Sequence, residues 1–151
     1  MEADTFVAIE RRNVASTTVG TQSAVAYGAD RSLELALAAA QTALDNRGRD
    51  IVILDLREVT CVFDFFVIAT GTSRRQIHAM SEEIDHKLED DLGDSRMSIE
   101  GYRESRWVLL DYGNVVIHLF DEPTREYYSL ETLWANAKRI AFPKEEGGDE
   151  G

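Results

Sequence analysis

Three patterns in this chain have the residue types and spacing to do chemistry. The first is Gly71-Thr72-Ser73, followed by Arg74-Arg75-Gln76. A glycine turn that opens a helix offers free backbone N–H groups to an anion, and Ser73 with Gln76 has capping-box spacing. Nucleotidyl transfer would use such a turn for the triphosphate. It would also need two carboxylates one residue apart on the following strand, to hold divalent metal. That pair is missing. Met97 to Glu100 offers a single acid, and Trp107 to Leu110 offers none before Asp111. Glu83 and Asp85 lie two apart on a helical stretch and point different ways.

The second pattern is the histidines. His78, His86 and His118 match no zinc-ligand spacing, and neither a Walker loop nor a serine elbow is present. His118 alternates with apolar neighbours on a strand and reads as a hydrogen-bonded, partly buried imidazole. No catalytic residue, metal or cofactor is expected.

The third pattern is Arg106-Trp107 with Asp111-Tyr112-Gly113-Asn114. A tryptophan and a tyrosine edged by acids have the composition of an interface hot spot, although a strand tryptophan is equally a core residue. Arg74 and Arg75 also have two readings. They pair with acids such as Asp64 or Glu104, or they form an anion or partner site in a helix's first turn, where positive charge opposes the dipole.

Helices and strands must hold these groups in place. Leu33, Leu37, Ala40 and Leu44 share a helical face, and Gly48 lies where that helix would stop. Ile51 to Leu56 and Phe65 to Ala69 are apolar runs suited to strands covered on both faces. After Ser73 comes a helix with a buried stripe of Ile77, Met80, Ile84 and Leu88. Met97 to Gly101 is a short strand. Trp107 to Leu110 and Val115 to Phe120 flank the hairpin dipeptide Gly113-Asn114. Pro123 opens a last helical region, and Ser129 caps a second piece of it. The order α, β, β, α, β, β, β, α implies a mixed β-sheet with helices packed on it, an α/β sandwich.

Composition narrows the class of partner. The 151 residues include 16 basic and 28 acidic side chains, a net charge of −12. Such a surface as a whole repels anionic membranes and bare nucleic acid, DNA included, and is steered toward a basic partner. Cys61 is the one cysteine, which excludes an intrachain disulfide and suits a reducing compartment. No run is apolar for the roughly twenty residues of a membrane span. The acids Glu2, Asp4 and Glu10 argue against a signal or transit segment, so a cytoplasmic location is expected. Residues 1–29 read as a flexible leader, 30–142 as the folded domain, and 143–151 as an acidic disordered tail.

Asp64 to Gln76, then Arg106 to Phe120, then Arg125-Glu126-Tyr127-Tyr128 and Leu130-Glu131-Thr132-Leu133-Trp134 are unusual strings in a distinctive order. Together they resemble the ribosomal silencing factor family, also called Iojap-related, from about Leu33 to Trp134. The resemblance implies a nucleotidyltransferase-like α/β sandwich that catalyses nothing. It implies binding to the large ribosomal subunit through its ribosomal protein fourteen, which blocks small-subunit joining and represses translation, as in starvation. It points to Trp107, Asp111 and Tyr112 as the contact, with Asp64 and Glu100 as an acidic rim and Arg75 beside it. Family members often form homodimers, and organellar members suggest a large-subunit assembly role through the same contact. Asn114 stands where Asp is common in the family, and Phe65-Phe66 replaces Tyr-Phe. Two other classes compete: a nucleotide-binding transferase using Gly71 to Arg75, and an acidic adaptor whose partner is not the ribosome.

Overall fold

The computed structural model describes residues 22–142, with side chains from residue 31. The first helix, α1 (Gln22–Asp45), begins inside the stretch expected to be leader. The helix therefore claims the last residues of that leader. The remainder of the expected leader and the acidic tail lie outside the described residues.

After α1 come β1 (Arg49–Asp55), β2 (Phe65–Gly71), α2 (Arg74–His86) and a π-helical turn over Lys87–Asp91. They are followed by β3 (Ser98–Glu100), β4 (Trp107–Asp111), β5 (Val115–Asp121), α3 (Glu122–Tyr128), α4 (Leu130–Leu133) and β6 (Lys138–Arg139). The six strands form one sheet in the order β3-β4-β5-β2-β1-β6. Only the central β2–β5 pair is parallel. The sheet is mixed and has a core on each face, the α/β sandwich that the sequence pattern implied. No helix among the described residues is long and apolar enough to cross a membrane.

The first core lies between the sheet and α1 with α2. Its floor is Ile53, Phe65, Val67, Val108, Leu110, Val115, Ile117 and Leu119. On α1 the buried line is Leu35, Ala36, Ala39, Ala40 and Ala43, whereas Leu33, Leu37 and Leu44 are half-buried at its edges. The expected stripe is thus rotated. Small alanines let the helix axis approach the sheet, and the larger leucines fill the flanks. On α2 the stripe Ile77, Met80, Ile84 and Leu88 is buried as its spacing demanded.

α1 ends through Arg47, which takes the left-handed conformation at φ 68°. Gly48 follows because a Cβ there would sit 2.9 Å from both the Ala43 carbonyl oxygen and Met80 Sδ. At the start of α2, Ser73 Oγ accepts the Gln76 N–H at 3.1 Å. Gln76 Oε1 reaches back to the Thr72 N–H instead of closing a full box on Ser73.

The second core is aromatic. Phe63, Phe66, Trp107 and Phe120 are buried on the opposite face with Leu54, Ile68, Leu109 and Val116. Leu130 of α4 packs there, with Tyr128, Trp134 and Ala137 at its margin. Covering both faces explains why every residue of β2 and β4 is buried.

Candidate functional site

Trp107 enters β4 on the aromatic face and is 2 % exposed. Its ring stacks on Phe120 at 5.0 Å and lies 4.7 Å from Tyr128 of α3. Its indole N–H donates to His118 Nδ1 at 3.0 Å. His118 is wholly buried, and burial drives its pKa down from 6.5 to about 3. The ring is therefore neutral at physiological pH, with its proton on Nε2 because Nδ1 accepts from Trp107. A general acid or base needs a pKa close to the working pH, so this imidazole is a structural acceptor. Nε2 has no hydrogen-bond partner among the described residues.

Asp111 and Tyr112 were expected at a surface, and the structure corrects this. Asp111 is fully buried, and its Oδ1 accepts the Gly113 N–H at 2.8 Å, which shapes the hairpin turn. Gly113 needs its φ of +95° there. Tyr112 turns to the helical face and donates its hydroxyl to Asp85 of α2 at 2.7 Å. Burial, then Asp85, raises its pKa well above the ordinary tyrosine value. Arg96 closes on the other Asp85 oxygen at 3.1 Å. The exposed residue of the hairpin tip is Asn114. Trp107, Asp111 and Tyr112 are thus laid into the two cores, where none offers an exposed anchor to a partner. The physical cause is that both faces of β4 are covered.

The other three expected site residues are dispersed. Asp64 is half-buried beside the hairpin, where its N–H donates to the Asn114 carbonyl at 2.7 Å. Burial raises its pKa, opposed by a Ser32 hydrogen bond and by Arg57. Glu100 is half-buried on the edge strand β3, opposite Leu109. Arg75 is exposed in the first turn of α2. Neither Arg74 nor Arg75 is ion-paired to Asp64 or Glu104. Instead, Arg74 Nη2 donates to the Arg103 carbonyl at 3.1 Å.

The loop between β3 and β4 is fastened to α2. Tyr102 stacks on His78 at 4.1 Å between centroids, and its hydroxyl donates to Glu82 at 2.6 Å. His78 Nε2 lies 2.7 Å from the Tyr102 carbonyl and 2.6 Å from Ser105 Oγ. A carbonyl only accepts, so His78 Nε2 carries a proton and Ser105 accepts from it. This serine and histidine form a structural knot, with the hydrogen bond pointing away from nucleophile activation.

Sequence reasoning missed what holds α3 and α4 in place. Arg125 donates to the Thr70 hydroxyl at 2.8 Å and the Asp50 carbonyl at 2.7 Å, and pairs with Glu131 at 2.5 Å. Ser129 makes the turn between the two helices in the left-handed region at φ 47°, without a side-chain cap bond to the backbone. Helical periodicity cannot reveal a pair that spans such a break. The clearest signal was the block Arg125-Glu126-Tyr127-Tyr128 with Leu130-Glu131 itself.

Besides a cleft of about 630 Å³ over the Arg125 clamp, lined by Asp50, Thr70, Glu131 and Arg139, two surface features bear on the expected partner site. One is a cleft of about 560 Å³ with Trp107 at its base, walled by Arg74, Glu104, Arg106, Tyr127 and Tyr128. The other is a carboxylate-rich side formed by Glu82, Asp85 and Asp90, with Arg96 and His86 among them, against Ile99 and Tyr102. The exposed Met97 immediately precedes β3, and Glu100 ends that strand on the opposite, aromatic face of the sheet, beside Leu109. Among the described residues, no three His, Cys, Asp or Glu side chains gather as a metal site would require.

Comparison with known proteins identifies this arrangement. The family described as "Ribosomal silencing factor during starvation" matches residues 29–150. The chain belongs to the ribosomal silencing factor family. This silencing-factor chain is 42% identical over 93 residues to the ribosomal silencing factor of Bacillus subtilis, covering 62% of this chain and 78% of that one. A crystal structure of a Chromobacterium violaceum protein superposes with a TM-score of 0.66 at 32% identity, covering 76% of this chain and 93% of that one. A mouse protein named "Mitochondrial assembly of ribosomal large subunit protein 1" is 39% identical over 89 residues, 57% of this chain and 39% of that protein. The relatives' names support translation regulation and ribosome biogenesis as the family's setting. The silencing-factor blocks map onto the fold as β2 with the start of α2, the β4–β5 hairpin, and α3 with α4.

Proposed function

We propose that the protein binds the large ribosomal subunit through ribosomal protein fourteen and, by occupying that place, keeps the small subunit from joining. The observation that carries this reading is family membership over residues 29–150. The mechanism is steric exclusion without catalysis, and it represses translation when the factor is abundant relative to free large subunits.

A basic ribosomal protein suits a chain of net charge −12. The face best fitted to it is the carboxylate-rich side of α2, with Glu82, Asp85 and Asp90 around Ile99 of β3 and Tyr102. Opposite charge at such a rim accelerates encounter, and an apolar centre slows release. Trp107, Asp111 and Tyr112 serve this face from within. Tyr112 holds Asp85 from the core side, Asp111 shapes the hairpin, and Trp107 ties β4 to α3.

The test is sedimentation of large subunits with the protein, followed by addition of small subunits. The protein should travel with the large subunit and suppress the joined peak. Glu82→Lys with Asp90→Lys should weaken co-sedimentation while leaving the melting temperature near wild type, because both side chains are exposed. Migration of the wild-type protein at the top of the gradient would refute the reading. A second role, in assembly of the large subunit, is favoured by the name of the mouse relative. Accumulation of immature large subunits on depletion would select it.

A further inference from the structure

The cleft above Trp107 is not explained by an acid-seeking partner. Its wall carries Arg74 and Arg106, with Glu104 as the single carboxylate and Tyr127 and Tyr128 opposite. Arg103 adjoins it through the bond from Arg74, and Arg75 follows on the same turn of α2. None of these four arginines has a carboxylate within ion-pair distance among the described residues, which they share with Arg47, Arg49 and Arg139, whereas Arg31, Arg57, Arg96 and Arg125 are paired. What sets these four apart is that they gather at one cleft.

Charge along α2 runs against its own dipole. Arginines occupy its first turn, which holds no acid, and Glu89, Asp90 and Asp91 crowd the π-helical turn at its far end. Each misplaced charge costs a few tenths of a kcal/mol. His86 and Lys87 offset this only through exposed pairs with Asp90 and Asp91. The two ends lie roughly 20 Å apart along the axis, well beyond the screening length of about 8 Å at physiological salt. The basic end therefore acts locally despite the net charge of −12.

Tyr127 is 81 % exposed at the mouth of this cleft, its ring 4.9 Å from Tyr128 in an edge-to-face pair. Arginine for phosphate, beside an open aromatic face for a base, is the equipment of a single-stranded RNA site. A bare acidic peptide would use the arginines and leave the tyrosine face idle. We propose that the cleft takes one nucleotide of single-stranded RNA, with the base on Tyr127 and the flanking phosphates at Arg74 and Arg106. This contact goes beyond the ribosomal-protein contact proposed above and does not depend on it.

The experiment titrates a fluorescein-labelled uridine octamer with the free full-length protein and reads anisotropy at low salt. Binding is expected with Kd about 10⁻⁴ M, the weak end of non-specific nucleic-acid affinity. Tyr127→Ala should weaken it about tenfold or more through lost stacking, with an unchanged melt because the side chain is exposed. Arg74→Gln and Arg106→Gln should each flatten the log–log salt dependence by about 0.7, the share of one phosphate on a single strand. Arg47→Gln, at the far end of α1, should change nothing. No anisotropy change up to about 1 mM protein, a range that spans this class of affinity, would overturn the proposal. So would indifference to Tyr127→Ala, or displacement of the octamer by hexaglutamate at lower concentration than by unlabelled octamer, which would reassign the cleft to an acidic peptide. The assay uses free protein, so its failure leaves the ribosomal-protein reading standing.

Discussion

His118 makes the stability of this protein depend on pH in a way that can be calculated. Its ring is fully buried between Phe66 and Trp107, with a folded-state pKa of about 3 against 6.5 when exposed. The folded protein keeps the ring neutral, and the unfolded chain binds the extra proton as pH falls below 6.5. Stability from this group is therefore complete above that value and drains away between it and about 3. The slope in the window is about 1.4 kcal/mol per pH unit, so going from about pH 7.5 to about pH 5 costs about 2 kcal/mol. Other groups titrate over the same range. Asp64, whose pKa is raised by burial, pulls the other way. The informative quantity is thus the difference between wild type and His118→Asn, whose amide oxygen can still accept from the Trp107 indole. Urea unfolding of both at stepped pH should give stability curves that run parallel above about pH 7 and converge by about 1.4 kcal/mol per unit below about pH 6. Parallel curves down to about pH 4.5 would refute the reasoning, as would an NMR titration in which the His118 ring protonates near its free value.

The other expectations test the scaffold. Trp107→Ala should cost about 3–5 kcal/mol in chemical denaturation, the usual loss for a buried large aromatic; a loss under about 1 kcal/mol would return the residue to the surface. Arg125→Ala removes a cation that is 12% exposed and strands Glu131, so about 2–3 kcal/mol should be lost. Faster amide hydrogen exchange from Ser129 to Ile140 should accompany that loss. Gly71→Ala would place a methyl 2.5 Å from Ile77 Cγ1 and should lower stability by about 1–3 kcal/mol by overpacking, read as a fall in melting temperature. Tyr112→Phe leaves Asp85 with Arg96 alone and should cost about 1 kcal/mol.

Much of the architecture was legible because its causes are local. Continuous apolar runs mark β1, β2 and β5, since a strand covered on both faces has no polar side to show. Ser73 and Gln76 announce the start of α2, and Gly113-Asn114 the hairpin, because caps and tight turns are decided within four residues. The family was legible in the same way, through strings whose order survives without any knowledge of packing. The α1 stripe was read a fraction of a turn off, because periodicity identifies a face but not which residue lies nearest the sheet. The two-residue β6 left no pattern long enough to detect.

Burial belongs to the tertiary structure. The types and spacing of Trp107, Asp111 and Tyr112 are equally those of an interface and of a core. What decided between them was whether the far face of β4 is covered. That cover comes from α3 and α4, pinned by Arg125 to Thr70 across 55 residues of sequence. The cleft arose in the same way: Arg74 of α2, Arg106 in the loop ahead of β4 and Tyr127 of α3 meet only when β2 pairs with β5 and β5 with β4. A sequence carries its i to i+4 neighbours on its face, but solvent exposure and the meeting of distant side chains follow from long-range pairing, which only the folded chain expresses.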